Sequence, residues 1–335
     1  MDTMPRVSII ILNWNGWRDT VECLESVFQM TYPDYNVIVV DNRSEDDSIQ
    51  KIKEYASGEI IPISPFFSYR RENKPIDYIE YTIDEAEDSS VNLMFHETTR
   101  NKKLILIKNE RNAGFSGGNN IAIRYALKNL EPDFFLLLNN DTVVHPEFLS
   151  ELVKGASYDE KIAITCPKCY YYNYEGRTDI TWFAGGEIDL WWYPFYRHIG
   201  IGQIDQLSDG INDCDWVTGA AMMLSKTAPI KFLDEQFFFG REDVDICIKT
   251  KSQGYRITVN YNAIIWHKVG SSSKKAYPNR IKSVHREYKE IIRMLANYNP
   301  LYLLWVPILT IIFLFRAVHF FTKRILNTQR NASDS

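Results

Sequence analysis

The first half of the chain alternates apolar runs with helical patterns, and this alternation most constrains the fold. The runs are continuous and rich in Val, Ile and Leu, as expected for strands of a parallel sheet covered on both faces. The intervening segments carry apolar residues on one helical face, for example Val21, Leu24 and Val27. This order predicts an α/β fold with an open, mostly parallel sheet and right-handed crossovers. The predicted strands are RVSIIILNWN, YNVIVVD, KLILIKN and DFFLLLNND.

An insertion interrupts the alternation at residues 57–103. Two segments there, PIDYIEYTI and SVNLMFHETT, have the alternating pattern of strands and flank the acidic stretch DEAEDSS, which predicts an inserted β-hairpin at a sheet edge. It is either a decoration or a lid over an acceptor. After Glu151 the strands are interrupted by one short helix, which ends at Gly254. We predict one domain over residues 1–275 and a helical region over 276–335.

The helical region contains an apolar segment at residues 301–321, LYLLWVPILTIIFLFRAVHFF. Its length is near the ~20 residues that span a bilayer, and Lys323 and Arg324 follow it. Pro307 and Arg316 interrupt it, so a helix lying on the membrane, a re-entrant hairpin and a buried core helix remain alternatives. We predict a membrane-associated segment.

Charge and cysteine content exclude some classes of protein. The net charge of −5 argues against a protein that coats nucleic acid. Five cysteines without a framework spacing favour a reducing compartment, and Cys166 and Cys169 lack the second pair that a zinc site requires. The apolar run VSIIIL is too short for an export signal.

The fourth predicted strand ends in Asn139, Asn140 and Asp141. Asn and Asp are common where a strand leaves a sheet, because their side chains bond to the local backbone. The alternative is a divalent cation held by Asp141, with Asn139 nearby, since Mg²⁺ and Mn²⁺ prefer oxygen ligands. In open α/β sheets, ligands bind beyond the carboxyl ends of the strands, where these residues lie.

Two later positions carry chemically useful side chains. Glu242 and Asp243 precede an apolar-periodic helix, where acids are favoured by the helix dipole. Alternatively, one of them is a general base that removes a proton from an acceptor hydroxyl. His267 ends a strand, where an imidazole is either structural or a metal ligand.

Two strand-end turns suit a nucleotide. Asp41 is placed to accept hydrogen bonds from a base or a ribose, or to cap its own turn. The turn NERNAGFSGGNN, with Asn112, Gly114 and Gly118, enters a helix and suits close approach of a phosphate-bearing ligand. Such a turn is by itself a weak signal.

The order of these motifs resembles glycosyltransferase family 2, and most closely its rhamnosyltransferase-like branch. The resemblance covers residues 6 to about 273 without the insertion. The motifs that carry it are VSIIILNWNG, VIVVDNRSEDDS, NERNAGFSGGNN, LLLNNDTVVHPEFL, WFAGGEID, VTGAAMMLSK, DEQFFFGREDVDICIK and GYRITVNYNAIIWHKVGSSS.

The resemblance implies a GT-A (nucleotide-diphospho-sugar transferase) fold with a Rossmann-like sheet, a nucleotide-diphosphate sugar donor, a divalent metal (Mg²⁺ or Mn²⁺) and inversion at the anomeric carbon. Asp243 matches the family's base, beside Glu242. Asp141 and His267 match its metal ligands, whereas Asn139 replaces the Asp that begins the fuller motif. The residues assigned to the donor are Asn13, Asp41, Asn112, Gly114, Gly118 and Asn140.

The apolar segment at residues 301–321 adds a place of action, because it would hold the site near a membrane. The expected acceptor is a saccharide or a polyprenyl-linked saccharide at the cytoplasmic face of the cell membrane, with no nucleic acid as partner. Rhamnose follows from the resemblance alone, and other hexoses fit the same motifs. Two alternatives remain: transfer of a sugar to polyprenyl phosphate, and a non-catalytic nucleotide-sugar-binding or scaffold protein.

Overall fold

The computed structural model describes residues 4–87, 104–189, 195–207, 209–270, 280–298, 300–316 and 318. The chain forms two compact units. The first contains Met1–Ile188 and Tyr196–Val269, and the second contains Asp189–Phe195 and Gly270–Ser335.

The first unit contains the strands and most of the helices. The strands are β1 (Val7–Asn13), β2 (Tyr35–Asp41), β3 (Tyr78–Thr82), β4 (Leu104–Lys108), β5 (Phe134–Asn139), β6 (Thr142–Val144), β7 (Ile162–Tyr171), β8 (Thr181–Phe183), β9 (Gly186–Ile188), β10 (Tyr196–His198), β11 (Ile211–Asp213), β12 (Ala221–Ser225) and β13 (Arg256–His267). The helices are α1 (Trp17–Phe28), α2 (Ser48–Ser57), α3 (Ile83–Glu87), α4 (Gly114–Asn129), α5 (Phe148–Ala156) and α6 (Glu242–Ser252), with a 3₁₀ turn at Arg71–Asn73.

The main sheet confirms the predicted α/β architecture. Its described strands follow the order β11-β13-β7-β12-β5-β1-β2-β4-β3. The neighbours of β1 and β2 run parallel to them, whereas β12 runs antiparallel between β5 and β7. The central strands are almost wholly buried, and each fully buried Ile or Leu contributes roughly 1.5–3 kcal/mol. The core therefore lies on both faces of this sheet.

Strand register brings the predicted polar strand ends together. Asn13 at the end of β1 pairs with Asp41 at the end of β2. On the other side, Leu12 pairs with Asn139 at the end of β5. The residues that sequence reasoning placed at separate strand ends therefore share one edge of the sheet.

The last strand reaches the same edge through an irregularity. The β13–β7 register shifts between Asn260 and Ile264, opposite Pro167. Proline cannot donate to a sheet ladder and is often found at such irregularities. Beyond the shift, β13 pairs with β6, and His267 lies opposite Thr142. This pairing positions His267 beside the residue that precedes β6, Asp141.

The insertion differs in part from the predicted hairpin. Its first strand exists as β3, which lies at one end of the strand order and pairs in parallel with β4. The acidic stretch begins as helix α3 and not as a turn, so that prediction is wrong at its start. A run of acids and alanine is compatible with a helix once β3 is fixed to the sheet. The predicted second strand lies outside the described residues.

A buried ion pair attaches the insertion to the helices beside it. Glu25 on α1 is fully buried and contacts Nζ of Lys74 at 3.0 Å. The same carboxylate accepts hydrogen bonds from Gln29, from Tyr55 and from the backbone N–H of Arg70. Burial opposes ionisation of Glu25, but these donors outweigh it and lower its pKa. Residues 70–74 are therefore held by a carboxylate whose two oxygens both accept hydrogen bonds.

All five cysteines are free and buried. Burial raises the pKa of the Cys169 thiol, and it raises the pKa of Cys23 to about 12. Thiols of this kind are poor nucleophiles and poor metal ligands. Cys166 and Cys169 both lie in the core on β7.

The second unit contains α7 (Arg280–Tyr298), a 3₁₀ segment at Pro300–Trp305 and a helix at 306–316. Among the residues that the structure describes, no helix combines the length and the hydropathy required to cross a bilayer. The last residues of the predicted membrane-associated segment 301–321 lie outside the described residues.

Candidate active site

Asp141 and His267 form a contact at the carboxyl edge of the sheet. Nε2 of His267 lies 3.0 Å from Oδ1 of Asp141, and both side chains are buried. The backbone N–H of Lys268 donates to the carbonyl of Asp141 at 3.0 Å, which fixes the two chain segments together. Sequence reasoning selected these two residues separately, and the structure brings them into one site.

The His267 ring is held edge-on against an aromatic side chain. Its centroid is 4.4 Å from that of Trp182, with the planes at 69°. Nδ1 of His267 is buried and has no hydrogen-bond partner in the part of the chain that the structure describes. A buried nitrogen without a partner costs free energy, so such an atom is a common feature of functional sites.

The chemistry of this pair fits a divalent cation. Two ligands that are each about 2.1 Å from an octahedral ion, at right angles, are about 3 Å apart. The observed separation of Nε2 and Oδ1, 3.0 Å, is that of a hydrogen bond between the two side chains, and it also meets that requirement. Within the described ranges, no group of three or more His, Cys, Asp or Glu side chains is arranged to hold a metal. A cation here would therefore use two protein ligands and further oxygens from its substrate.

Asp243 lies in the first turn of α6 and is held by backbone donors. Oδ2 accepts a 3.1 Å hydrogen bond from the N–H of Gly219, and Oδ1 accepts one of 2.9 Å from Val244. Burial raises the pKa of Asp243, and these two donors oppose the rise only in part. A carboxylate with a raised pKa is a better proton acceptor than an ordinary aspartate. Glu242, the other predicted acid, is buried at the start of the same helix.

One short turn connects Asp243 to the strand end that carries Asp141. Gly219 donates to Asp243, and the carbonyl of the next residue, Ala220, accepts the N–H of Asn139 at 2.9 Å. A Cβ at position 219 would lie 3.8 Å from Oδ2 of Asp243 and 3.1 Å from the ring of Phe115. The base candidate and the metal-ligand candidate are therefore held by adjacent residues of one turn.

His198 links the two candidates through aromatic neighbours. Nδ1 lies 3.2 Å from the carbonyl oxygen of Trp182, and the ring packs against Trp182, Phe183 and Trp216. Burial lowers the pKa of His198, whereas the Trp182 carbonyl and the charge of Asp243 oppose this shift. Trp182 thus contacts both His267 and His198.

The residues predicted to bind the donor form a hydrogen-bonded network. Nδ2 of Asn13 donates to Oδ1 of Asp41 at 2.7 Å, and Oδ1 of Asn13 accepts from the hydroxyl of Thr20 at 2.8 Å. The same hydroxyl oxygen accepts a 3.0 Å bond from Nδ2 of Asn140. Ser44 donates to Asp41 from its N–H and its hydroxyl. Three of the predicted donor-binding side chains therefore act together, and their contact with a nucleotide remains a prediction.

The glycine-rich turn is ordered by asparagine side chains. Oδ1 of Asn112 accepts from the N–H of Gly114 at 2.9 Å and from Nδ2 of Asn42 at 3.0 Å. Gly114 has a φ of +73°, and a Cβ there would lie 2.4 Å from the carbonyl oxygen of Phe238. At Gly118 a Cβ would lie 2.4 Å from Cδ1 of Leu12. Glycine is thus required at position 114 by its φ and by the nearby backbone, whereas at position 118 a Cβ would displace the end of a side chain. A role of either glycine toward a ligand stays a prediction.

Sequence reasoning missed several residues of this edge. Asn42 directly follows Asp41, and Gly219 lies within the motif VTGAAMMLSK. Their position in recognised motifs could have indicated them. Trp182 lies in the recognised motif WFAGGEID, but its contacts with His267 and His198 depend on strand pairing. Thr20 carries no signal in the sequence, since a hydroxyl inside an amphipathic helix is ordinary.

A profile of known protein families decides the relationship of this chain. The profile described as "Glycosyl transferase family 2" matches residues 8–75 and 81–224, more than half of the chain. The chain belongs to glycosyl transferase family 2. The interruption falls within the insertion, and the match includes the strand ends with Asn13, Asp41 and Asp141.

This member of glycosyl transferase family 2 is also similar to a curated protein and to solved structures. The low-salt glycan biosynthesis hexosyltransferase Agl10 of Haloferax volcanii is 28% identical over 149 residues, which is 44% of this chain and 46% of that protein. The chain thus aligns with about half the length of this relative. The mannosyltransferase PcManGT of Pyrobaculum calidifontis, solved with GDP-Man and Mn²⁺, is 13% identical with a TM-score of 0.54, covering 100% of this chain and 82% of the other. This likeness shows a GT-A-like α/β fold. The structure of S. aureus TarS 1-349 with UDP is 17% identical with a TM-score of 0.46, covering 86% of this chain and 65% of the other.

Proposed function

We propose that this member of glycosyl transferase family 2 transfers a hexose from a nucleotide-diphosphate sugar to a hydroxyl group of a saccharide or lipid-linked saccharide, with inversion of the anomeric carbon. The observation that carries the proposal is the turn at Gly219 and Ala220. It holds Asp243 next to the strand end on which Asp141 contacts His267. A base and an anion-stabilising centre on adjacent segments are what a single displacement requires.

Asp243 acts as the general base in this proposal. Its carboxylate takes the proton of the acceptor hydroxyl while the acceptor oxygen forms a bond to the anomeric carbon. The bond from that carbon to the diphosphate oxygen breaks, and the nucleoside diphosphate leaves with the electron pair. One carboxylate suffices, because no covalent sugar–enzyme bond forms, unlike the two-carboxylate mechanism of retaining hydrolases. The raised pKa of Asp243 makes proton removal more favourable than for an ordinary aspartate.

Asp141 and His267 are the residues that would hold Mg²⁺ or Mn²⁺, with Asn139 as the neighbouring strand-end residue. When bound, such an ion neutralises the charge that develops on the leaving diphosphate. The Trp182 ring keeps the imidazole oriented, and the buried Nδ1 of His267 leaves Nε2 directed toward Asp141. The Mn²⁺ bound by the mannosyltransferase PcManGT supports this assignment.

The network of Asp41, Asn13 and Asn140 is the proposed donor-binding edge. Its side chains already bind one another, so little reorganisation is needed before a nucleotide contacts Asp41. Asn112, Gly114 and Gly118 shape the neighbouring turn at the start of α4, and its contact with the donor diphosphate is part of the proposal. The GDP-Man of PcManGT supports a nucleotide sugar as donor.

The sugar and acceptor are proposed at a coarser level. A hexose is supported by the hexosyltransferase Agl10, and rhamnose by the resemblance of the motifs. A polyprenyl-linked saccharide at the cytoplasmic face of the cell membrane is the proposed natural acceptor. The acid pair at the start of α6 favours a sugar hydroxyl over polyprenyl phosphate, because a phosphate acceptor is already ionised and needs no base.

A donor panel with the full chain tests the proposal. Thermal unfolding and donor hydrolysis are measured with nucleotide sugars of different base and hexose, each with Mn²⁺, Mg²⁺ or EDTA. A ligand that binds only the folded state raises the unfolding temperature. We expect a metal-dependent shift and slow hydrolysis with one donor, and an inverted anomer in the product by NMR. Binding without hydrolysis or transfer would favour the non-catalytic alternative, and a retained anomer would contradict the single displacement.

A further inference from the structure

The second unit exposes a row of apolar side chains. They follow one another at steps of three and four residues, the spacing of a single face of a helical rod. The exposed fraction reaches 79% at Leu304 and 73% at Phe315. The row consists of Leu301, Leu304, Ile308, Ile311, Phe315 and Val318.

The opposite side of this segment is occupied by α7. Leu309 and Phe313 are buried, and the ring of Phe313 lies 5.5 Å from that of Tyr288. Tyr288 and Thr310 share a 2.7 Å hydrogen bond between their hydroxyls. Arg316 donates two hydrogen bonds to Glu287, of 3.1 and 2.9 Å. The helical pair therefore has its own inner face, and the exposed row is not the face that packs on α7.

The charge of this region is opposite to that of the rest of the chain. Residues 270–335 contain eleven Lys or Arg and three Asp or Glu, although the whole chain contains 38 and 43 respectively. Lys289 on α7 is exposed, and Lys323 and Arg324 follow the exposed row in the sequence. An exposed apolar row within a cationic region is typical of a segment that lies on an anionic lipid surface.

We propose that the exposed row of the second unit lies in the headgroup region of a bilayer that contains anionic lipids, and that the net positive charge of residues 270–335 attracts it to the lipid phosphates. A second copy of the chain is a less favourable occupant, because two strongly cationic regions would face each other at close range. The inference adds a membrane partner to the proposed function. It rests on that function only in that a lipid-linked acceptor would lie in the same membrane.

Vesicle sedimentation with the full chain tests this inference. The vesicles contain phosphatidylcholine alone or phosphatidylcholine with phosphatidylglycerol. We expect binding to the second kind and at least about a tenfold loss of binding in high salt, because salt screens the charge contribution. The double variant Leu304→Ser, Phe315→Ser should lose at least about tenfold in vesicle affinity, because two exposed apolar side chains no longer enter the lipid. Ile63→Ser is the matched control, because Ile63 is 90% exposed in the first unit.

Several results would overturn the inference. Equal binding of neutral and anionic vesicles would show that the positive charges do not contribute to binding. Unchanged binding of the double variant would show that the exposed row does not contact the lipid. If the wild type is a dimer in sedimentation velocity and the double variant is a monomer, the row is an interface with a second copy of the chain. Donor hydrolysis in solution is measured on the same preparations. A wild-type protein that hydrolyses donor but does not bind vesicles would contradict this surface and leave the proposed chemistry intact. The vesicle and salt comparisons use the wild type, so they remain valid even if the double variant misfolds.

Discussion

Nε2 of His267 lies 3.0 Å from Oδ1 of Asp141, although 126 residues separate them in the chain. Pairing of β13 with β6 creates this contact, because it aligns His267 with Thr142, the residue after Asp141. Two buried side chains of complementary chemistry at a sheet edge are the strongest local argument for a cation in this protein.

Replacement of either residue should abolish the metal dependence of donor binding. For Asp141→Asn and for His267→Gln we expect a loss of at least about tenfold in donor affinity with Mn²⁺, and little change with EDTA. Isothermal titration with the donor found in the panel measures both values. His145→Gln is the control, since the His145 side chain accepts a hydrogen bond from the backbone N–H of Glu147 and lies against Trp266, away from Asp141 in the hydrogen-bond network. Equal metal dependence in all three variants would remove the assignment.

Asp243→Asn should reduce transfer by about 10²–10⁴-fold and leave donor binding nearly unchanged, because the change removes proton acceptance but keeps the size of the side chain. Initial rates and donor affinity are measured on the same protein. In the wild type, kcat/KM should fall as pH decreases through the pKa of Asp243, which burial raises above its ordinary value of 3.8. The acidic limb therefore lies at higher pH than for an ordinary aspartate. Transfer that survives in the variant would mean that another group removes the proton.

Gly114→Ala should destabilise the protein more than Gly202→Ala. The two glycines have nearly the same φ, +73° and +74°, so the backbone strain of about 1–2 kcal/mol is shared. Only at Gly114 does the new Cβ meet the carbonyl oxygen of Phe238, at 2.4 Å, whereas Gly202 has open space. We expect a further loss of about 1–3 kcal/mol in the free energy of unfolding. Urea unfolding of both variants checks this, and equal losses would contradict the packing role of the turn.

Lys74→Ala should cost about 3–5 kcal/mol, since it leaves Glu25 buried without its cation. The control is Lys154→Ala, because the 3.5 Å pair of the exposed Lys154 with the half-buried Glu151 contributes about 0–1 kcal/mol. Burial lowers the pKa of Lys74, and the hydrogen bond and charge of Glu25 oppose this shift only in part. Chemical unfolding of both variants measures the difference. Equal losses would show that the ion pair does not anchor the insertion.

The same pair predicts a pH dependence of wild-type stability. The folded-state pKa of Glu25 is lower than its ordinary value of 4.5. Its contribution to the free energy of unfolding is therefore present above pH 4.5 and is lost as pH falls through the folded pKa. Glu25→Gln should flatten this acidic part of the stability curve in urea titrations. A curve of unchanged slope would assign the acid sensitivity to other carboxyl groups.

The sequence by itself determined the alternation of strands and helices and the polar ends of the strands. Continuous apolar runs have few alternatives to a covered parallel sheet, so the α/β architecture and the positions of Asp41 and Asp141 could be predicted from local pattern. The ordered motifs also determined membership of the family. Each of these properties depends on residues that are close together in the chain.

Tertiary structure decided which of those residues meet. The contact of His267 with Asp141 needs the register shift of β13 at Asn260, and the support of Asp243 needs the N–H of Gly219, 24 residues earlier. The parallel pairing of β3 with β4 was not predicted, for the same reason. Register and long-range pairing depend on the total free energy of the packed sheet, which no local window of the sequence contains.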